Sequence, residues 1–157
     1  MSKLLRQGLL DTNAKIFFDI DGVLAPYEFG IFSHCIDDDE WDEMVKNKES
    51  LYGELKSVPI LKEFIDRIKE GHAYALSVSG DEWEDKKKFV MDNYNIPEEN
   101  ILKVSSKDEK LNVLRKFMKE DGKYPIAIVE DTVKTLDKIY KEIPQVYTVH
   151  VSSFFDE

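Results

Sequence analysis

The sequence predicts an α/β fold, a doubly wound and mostly parallel sheet with helices on both faces, and three observations predict it. Apolar runs of strand length alternate with amphipathic runs of helix length, the pattern that parallel strands joined by crossover helices produce. The first of these runs, residues 15–20, is apolar almost without interruption, as a central strand buried on both faces is. Polar and charged residues gather at the carboxyl end of each internal run, the edge at which open α/β sheets of this Rossmann-like kind bind their ligands.

Residues 1–13 carry Leu4, Leu5, Leu9 and Leu10 at spacings that suit a short helical turn or a clamp over a sheet edge. The first strand follows at 15–20 and Gly22 ends it. From 25 to 56 the periodicity weakens. Pro26, Gly30, the acidic cluster Asp37-Asp38-Asp39-Glu40 and the aromatic residues Tyr27, Phe29, Phe32 and Trp41 mark a surface excursion with a short helix near 39–46. A loop this long inside a compact domain is usually functional, and its aromatic residues fit either a pocket lining or packing against the sheet.

Regularity returns at Ser57-Val58-Pro59, a helix start with proline in the first turn. Ile60, Leu61, Phe64, Ile65 and Ile68 share one face of this helix, and Gly71 stops it. Residues 72–78 read as a strand, and 81–94 as a helix with Trp83, Phe89, Val90 and Tyr94 as its less polar positions. A short strand at 101–104 comes next. Ser106 and Glu109 then have capping-box spacing, and Leu111, Val113, Leu114, Phe117 and Met118 carry a helix to Gly122. A strand at 125–129, a helix at 132–142 and a β-branched strand at 146–151 complete the alternation.

The totals bound the function. A chain of 157 residues fits one domain, over 1–157, with a flap or minimal lid at about 25–56. Its 32 acidic against 22 basic residues give a formal charge of -10, which repels polyanions, so extended nucleic acid is not an expected partner. The run Lys86-Lys87-Lys88 reads as a solvated helix face. The single cysteine, Cys35, forms no internal disulfide. No apolar run approaches the ~20 residues that span a bilayer and the start lacks a signal-peptide core, so the expectation is a cytoplasmic protein without a membrane partner. The oligomeric state is not legible.

The strand ends carry the chemistry. In order they offer Asp19 and Asp21, then Ser79 and Gly80, then Ser105, Ser106 and Lys107, then Glu130 and Asp131. With 32 acidic residues an Asp-x-Asp pair is expected by chance, but an ordered polar set along one sheet edge is not. Buried carboxylates need a cation or donors to compensate them. His34, His72 and His150 lack ligand spacing and read as surface or strand histidines, and Asp37–Glu40 reads as a solvated acidic loop.

Residues 15–24, Lys15-Ile16-Phe17-Phe18-Asp19-Ile20-Asp21-Gly22-Val23-Leu24, followed by Ser79-Gly80, a lysine and Asp131, resemble the motifs of the haloacid dehalogenase superfamily. Most of its members are Mg²⁺-dependent phosphohydrolases, and the resemblance covers the chain from residue 15 to residue 151. It implies a phosphatase acting on a phosphate monoester through an aspartyl-phosphate on Asp19. Asp21 would be the acid and base, Ser79 and Gly80 would bind the phosphoryl oxygens, and a lysine would hold phosphoryl and nucleophile. Ser77 shares a sheet face with Ser79 but lies inside the strand, so Ser79 is preferred. For the lysine, Lys107 is preferred because it follows the strand directly, with Lys110 as the alternative. Mg²⁺ would be held by Asp19, the Asp21 backbone carbonyl and Asp131, with Glu130 a further candidate, since oxygen-only donors suit this ion. One departure stands out. Thr135 occupies the position where a second acid commonly follows in that superfamily.

Members of that superfamily often carry a cap after the first motif or after the second strand, and neither gap holds one here. An open site of this type acts on a small phosphorylated molecule under its flap or on a phosphate carried by something larger. A phosphotransferase or mutase would use the same residues. A non-catalytic phosphate- or protein-binding module of the same fold is the reading of a different class. A receiver domain fits less well, because the third strand ends in Ser-Ser-Lys.

Overall fold

The computed structural model describes residues 2–26, 37–47 and 50–155. Among these residues five strands, β1 (Lys15–Phe18), β2 (Ala73–Val78), β3 (Ile101–Val104), β4 (Ile126–Glu130) and β5 (Tyr147–His150), form one sheet in the order β3-β2-β1-β4-β5. All four pairings are parallel. The chain winds outward from β1 through β2 to β3, then returns across β1 to β4 and β5. That reversal makes the carboxyl ends of β1 and β4 the switch point, where a doubly wound sheet opens a crevice.

Among the described residues six α-helices connect and flank the strands: α1 (Ser2–Asp11), α2 (Asp38–Lys46), α3 (Pro59–Arg67), α4 (Trp83–Asn93), α5 (Lys107–Glu120) and α6 (Val133–Glu142). Strand alternation sends β1 side chains to two separate cores. Ile16 and Phe18 pack with Leu61, Phe64 and Ile65 of α3 and with Phe89 and Val90 of α4. Phe17 packs on the other face with Leu111 and Leu114 of α5 and Leu136 and Ile139 of α6. The helices therefore cover both faces, as the alternation of elements requires.

β1 ends two residues earlier than the apolar run, because the chain turns. Asp19 N–H still donates to Val129 O at 3.0 Å, extending the ladder with β4 by one residue. Beyond it, Val23 and Ala25 N–H both donate to Ile20 O, and Gly22 N–H donates to Ala25 O. Gly22 holds φ at 78°, a left-handed conformation that suits glycine. Tyr94 pins the turn from outside: its hydroxyl donates to Leu24 O at 2.6 Å and accepts from Val58 N–H at 2.8 Å, at the start of α3. Asp19 and Asp21 thus sit on a turn braced by two helices.

The excursion after β1 is partly regular. Asp37 caps α2 by accepting from Glu40 N–H at 2.9 Å, so the acidic cluster lies at a helix N-terminus, where negative charge is favourable, rather than in a loop. Leu51, Tyr52 and Leu55 are buried in the core, and Trp41 meets Tyr52 edge-on with ring centroids 6.3 Å apart. For Trp41 the packing reading therefore fits. Tyr27, Phe29, Phe32, His34 and Cys35 lie outside the described residues. Among the described residues no helix is long and apolar enough to cross a membrane.

Candidate functional site

Asp19, at the end of β1, and Glu130, the last residue of β4, meet across the switch point through one cation. Lys110 Nζ donates to Asp19 Oδ1 at 3.1 Å and to Glu130 Oε1 at 2.6 Å. Lys110 and Glu130 are each 3% exposed and Asp19 14%. One lysine between two carboxylates leaves a negative charge in excess in a desolvated place. Burial pushes the Asp19 carboxyl up to about 7, with Lys110 pulling it down and Glu130 pushing it further up. The same two carboxylates raise Lys110 against the opposing effect of its own burial, so it stays an ammonium.

Of the two candidate lysines, the structure places Lys110, the alternative, at this junction and not Lys107. Lys107 is the first residue of α5 and is exposed, whereas Lys110, one turn further in, is the lysine at the strand edge. The reason is the direction of helical side chains. They lean toward the helix N-terminus, so the residue that reaches back to the strand ends starts one turn inside the helix. The expected capping box is also modified: Ser106 Oγ accepts from Glu109 N–H, but the Glu109 carboxylate takes the N–H of Ser105.

Asp21 is held at both oxygens. Tyr52 Oη donates to Oδ1 at 2.6 Å and Lys86 Nζ to Oδ2 at 2.8 Å. Lys86 is 1% exposed and also donates to Ser77 Oγ and Val78 O, each at 3.3 Å. The reading of Lys86 as part of a solvated run is therefore wrong for that residue. It lies three positions after Trp83 and three before Phe89, on the buried face of α4. Its position on the apolar stripe was the available signal. Tyr52 offered none, because it falls in the stretch 25–56, where the periodicity weakens.

At the end of β2, Ser79 and Gly80 already serve an anion. Ser79 Oγ donates to Glu82 Oε1 at 2.9 Å, and Gly80 N–H lies 3.2 Å from both Glu82 oxygens. Lys86 Nζ is 3.4 Å from Glu82 Oε1. Burial alone would raise the Glu82 carboxyl, but hydrogen bonds from its own N–H, Gly80 and Ser79, with the charge of Lys86, hold it below the usual carboxylate range. Ser79 is buried and Gly80 exposed, so the pair can present a hydroxyl and an N–H to another anion only when Glu82 moves.

Asp131 follows β4 directly. One carboxylate oxygen from each of Asp19, Glu130 and Asp131 lies within 4.8 Å of the others, a grouping able to hold a metal ion. Three oxygen donors with an excess of negative charge fit a hard divalent cation such as Mg²⁺. Lys110 takes one oxygen of Glu130 at 2.6 Å and one of Asp19 at the longer 3.1 Å, and Asp131 accepts from Thr132 Oγ1 at 3.3 Å. His150, at the end of β5, braces this corner. Ser152 N–H lies 3.2 Å from His150 Nδ1, which assigns the proton to Nε2, and that N–H donates to Asp131 O at 3.0 Å. His150 is thus a strand histidine with a structural partner, and His72 is another, with Nδ1 2.7 Å from Asn13 O. Thr135 is buried in the first turn of α6.

No protein-family model matches the chain, and no curated protein matches it significantly.

Proposed function

We propose that the chain is a cytoplasmic, Mg²⁺-dependent phosphatase of the haloacid dehalogenase type, hydrolysing a phosphate monoester through an aspartyl-phosphate on Asp19. The observation that carries this reading is the junction of β1 and β4, where Asp19, Glu130 and Asp131 converge and Lys110 bridges the first two. A nucleophilic carboxylate that must meet an anionic phosphoryl group needs positive charge beside it, and Lys110 supplies one. Asp19 and Asp131 would hold the metal, with the Asp21 carbonyl as the remaining protein ligand and Glu130 keeping Lys110 in place. When bound, Mg²⁺ neutralises the charge shared by nucleophile and phosphoryl oxygens.

Asp19 attacks phosphorus, the bond from phosphorus to the ester oxygen breaks, and the leaving alcohol oxygen takes its proton from water, or leaves unprotonated where it is a phenolate. Ser79 Oγ and Gly80 N–H bind phosphoryl oxygens, displacing the Glu82 carboxylate that they hold in the free protein. Asp21 then takes a proton from the water that hydrolyses the aspartyl-phosphate.

The test is release of phosphate from an aryl phosphate, with and without Mg²⁺, by the parent and by Asp19→Asn. The proposal expects turnover that needs both the ion and Asp19. Turnover retained by Asp19→Asn, or none on a broad panel of phosphate esters, overturns it, and the second result favours a non-catalytic binding module.

A further inference from the structure

The two donors on Asp21 come from outside the turn that carries it. Tyr52 belongs to the excursion between β1 and α3, and Lys86 to α4. The excursion is fastened to that same helix: Asp85 accepts from Leu51 N–H at 2.8 Å, Tyr52 N–H at 3.2 Å and Ser50 Oγ at 3.1 Å. The Tyr52 ring packs against Trp41 and Phe89, with centroids 6.3 and 5.9 Å away. Tyr52 Oη is therefore fixed by backbone bonds and ring contacts independent of Asp21. Lys86 is fixed in the same way by Ser77, Val78 and Glu82.

With Tyr52 on one oxygen and Lys86 on the other, the orientation of the Asp21 carboxylate is fixed from two sides. We propose that Tyr52 and Lys86 are positioning residues that aim the Asp21 carboxylate at water, and so serve the second half-reaction, hydrolysis of the aspartyl-phosphate. The inference rests on the phosphatase reading of Asp19 and Asp21. In that step the water oxygen bonds to phosphorus and the bond from phosphorus to the Asp19 carboxylate oxygen breaks. Asp21 takes the water's proton, inorganic phosphate leaves, the Asp19 carboxylate is restored, and the proton passes to solvent.

The first half-reaction with an activated aryl phosphate, such as a nitrophenyl ester, does not call on the clamp, because a nitrophenolate leaves without protonation. The two halves respond differently to its loss. kcat/KM reports events up to the first irreversible step, the transfer of phosphoryl to Asp19, whereas kcat also contains the hydrolysis step. Weakening the clamp lowers kcat and KM together and leaves kcat/KM in place. A residue that merely supports the fold would lower kcat/KM as well.

Tyr52→Phe removes one oxygen and keeps the ring packing. Loss of a hydrogen bond to a charged group predicts a fall in kcat of roughly tenfold or more, with kcat/KM within about twofold of the parent. A burst of phenolate stoichiometric with enzyme should precede the steady state. Lys86→Met should follow the same split more strongly if it folds, and Tyr52→Phe decides the matter if it does not. A parallel fall of kcat and kcat/KM, or unchanged kinetics, overturns the clamp while leaving Asp19-dependent turnover by the parent intact. Absence of Asp19-dependent turnover in the parent overturns the phosphatase reading, and the clamp with it.

Discussion

Replacing Asp19 with asparagine is expected to stabilise the metal-free protein at neutral and alkaline pH. The Asp19 side chain is 14% exposed, and its burial, with Glu130 close by, raises the carboxyl to about 7 even though Lys110 is 3.1 Å away. In the unfolded chain the same group titrates near 3.9, as ordinary aspartates do. Between about pH 4 and about pH 7 the unfolded chain has released this proton and the folded chain retains it, so stability falls as pH rises through that window. Above about 7 the cost is complete and on the order of a few kcal/mol. Asparagine carries no such cost, and its amide oxygen can still accept from Lys110. The assay is urea unfolding of both proteins in a chelator at about pH 5 and about pH 8.5, bracketing most of the window. The parent should lose stability relative to Asp19→Asn between the two. Equal losses, or a variant less stable at the higher pH, would refute the claim that uncompensated charge is stored at Asp19.

Other consequences follow from the same contacts. Lys110→Met leaves Asp19 and Glu130 buried without their shared cation and should cost about 3–5 kcal/mol in chemical unfolding, whereas Lys107→Ala, at an exposed position, should stay within about 0.5 kcal/mol. Glu82→Gln removes the negative charge from the Ser79 and Gly80 donors, so inorganic phosphate should bind several-fold more tightly by calorimetry, a gain of about 1 kcal/mol; weaker binding would mean that these donors serve Glu82 alone.

The fold was legible because burial on both faces makes central strands read as continuous apolar runs. Residues 15–20 and 125–129 have no other reading as strands, and the helices between them keep a stripe facing one core or the other. The placement of Asp19, Ser79, Glu130 and Asp131 along one edge followed from that alternation alone. The lysines were harder, because charge in a sequence reads as exposure. Lys86 stands among three lysines but on the stripe of Trp83, Phe89 and Val90, where only position, not residue type, signals burial. Lys107 and Lys110 differ by the lean of side chains toward the helix start, which depends on where α5 begins. Glu82 and Tyr52 were not legible at all. Glu82 meets Ser79 through the shape of a turn, and Tyr52 reaches Asp21 across 31 positions from a segment without period.

Covalent catalysis by Asp19 is read from the mass of the protein quenched in acid shortly after mixing with an aryl phosphate and Mg²⁺. A single phosphoryl adduct is expected on the peptide containing Asp19, absent in Asp19→Asn and enriched in Tyr52→Phe. Phosphate released at the full rate by the parent with no adduct at Asp19 would contradict it.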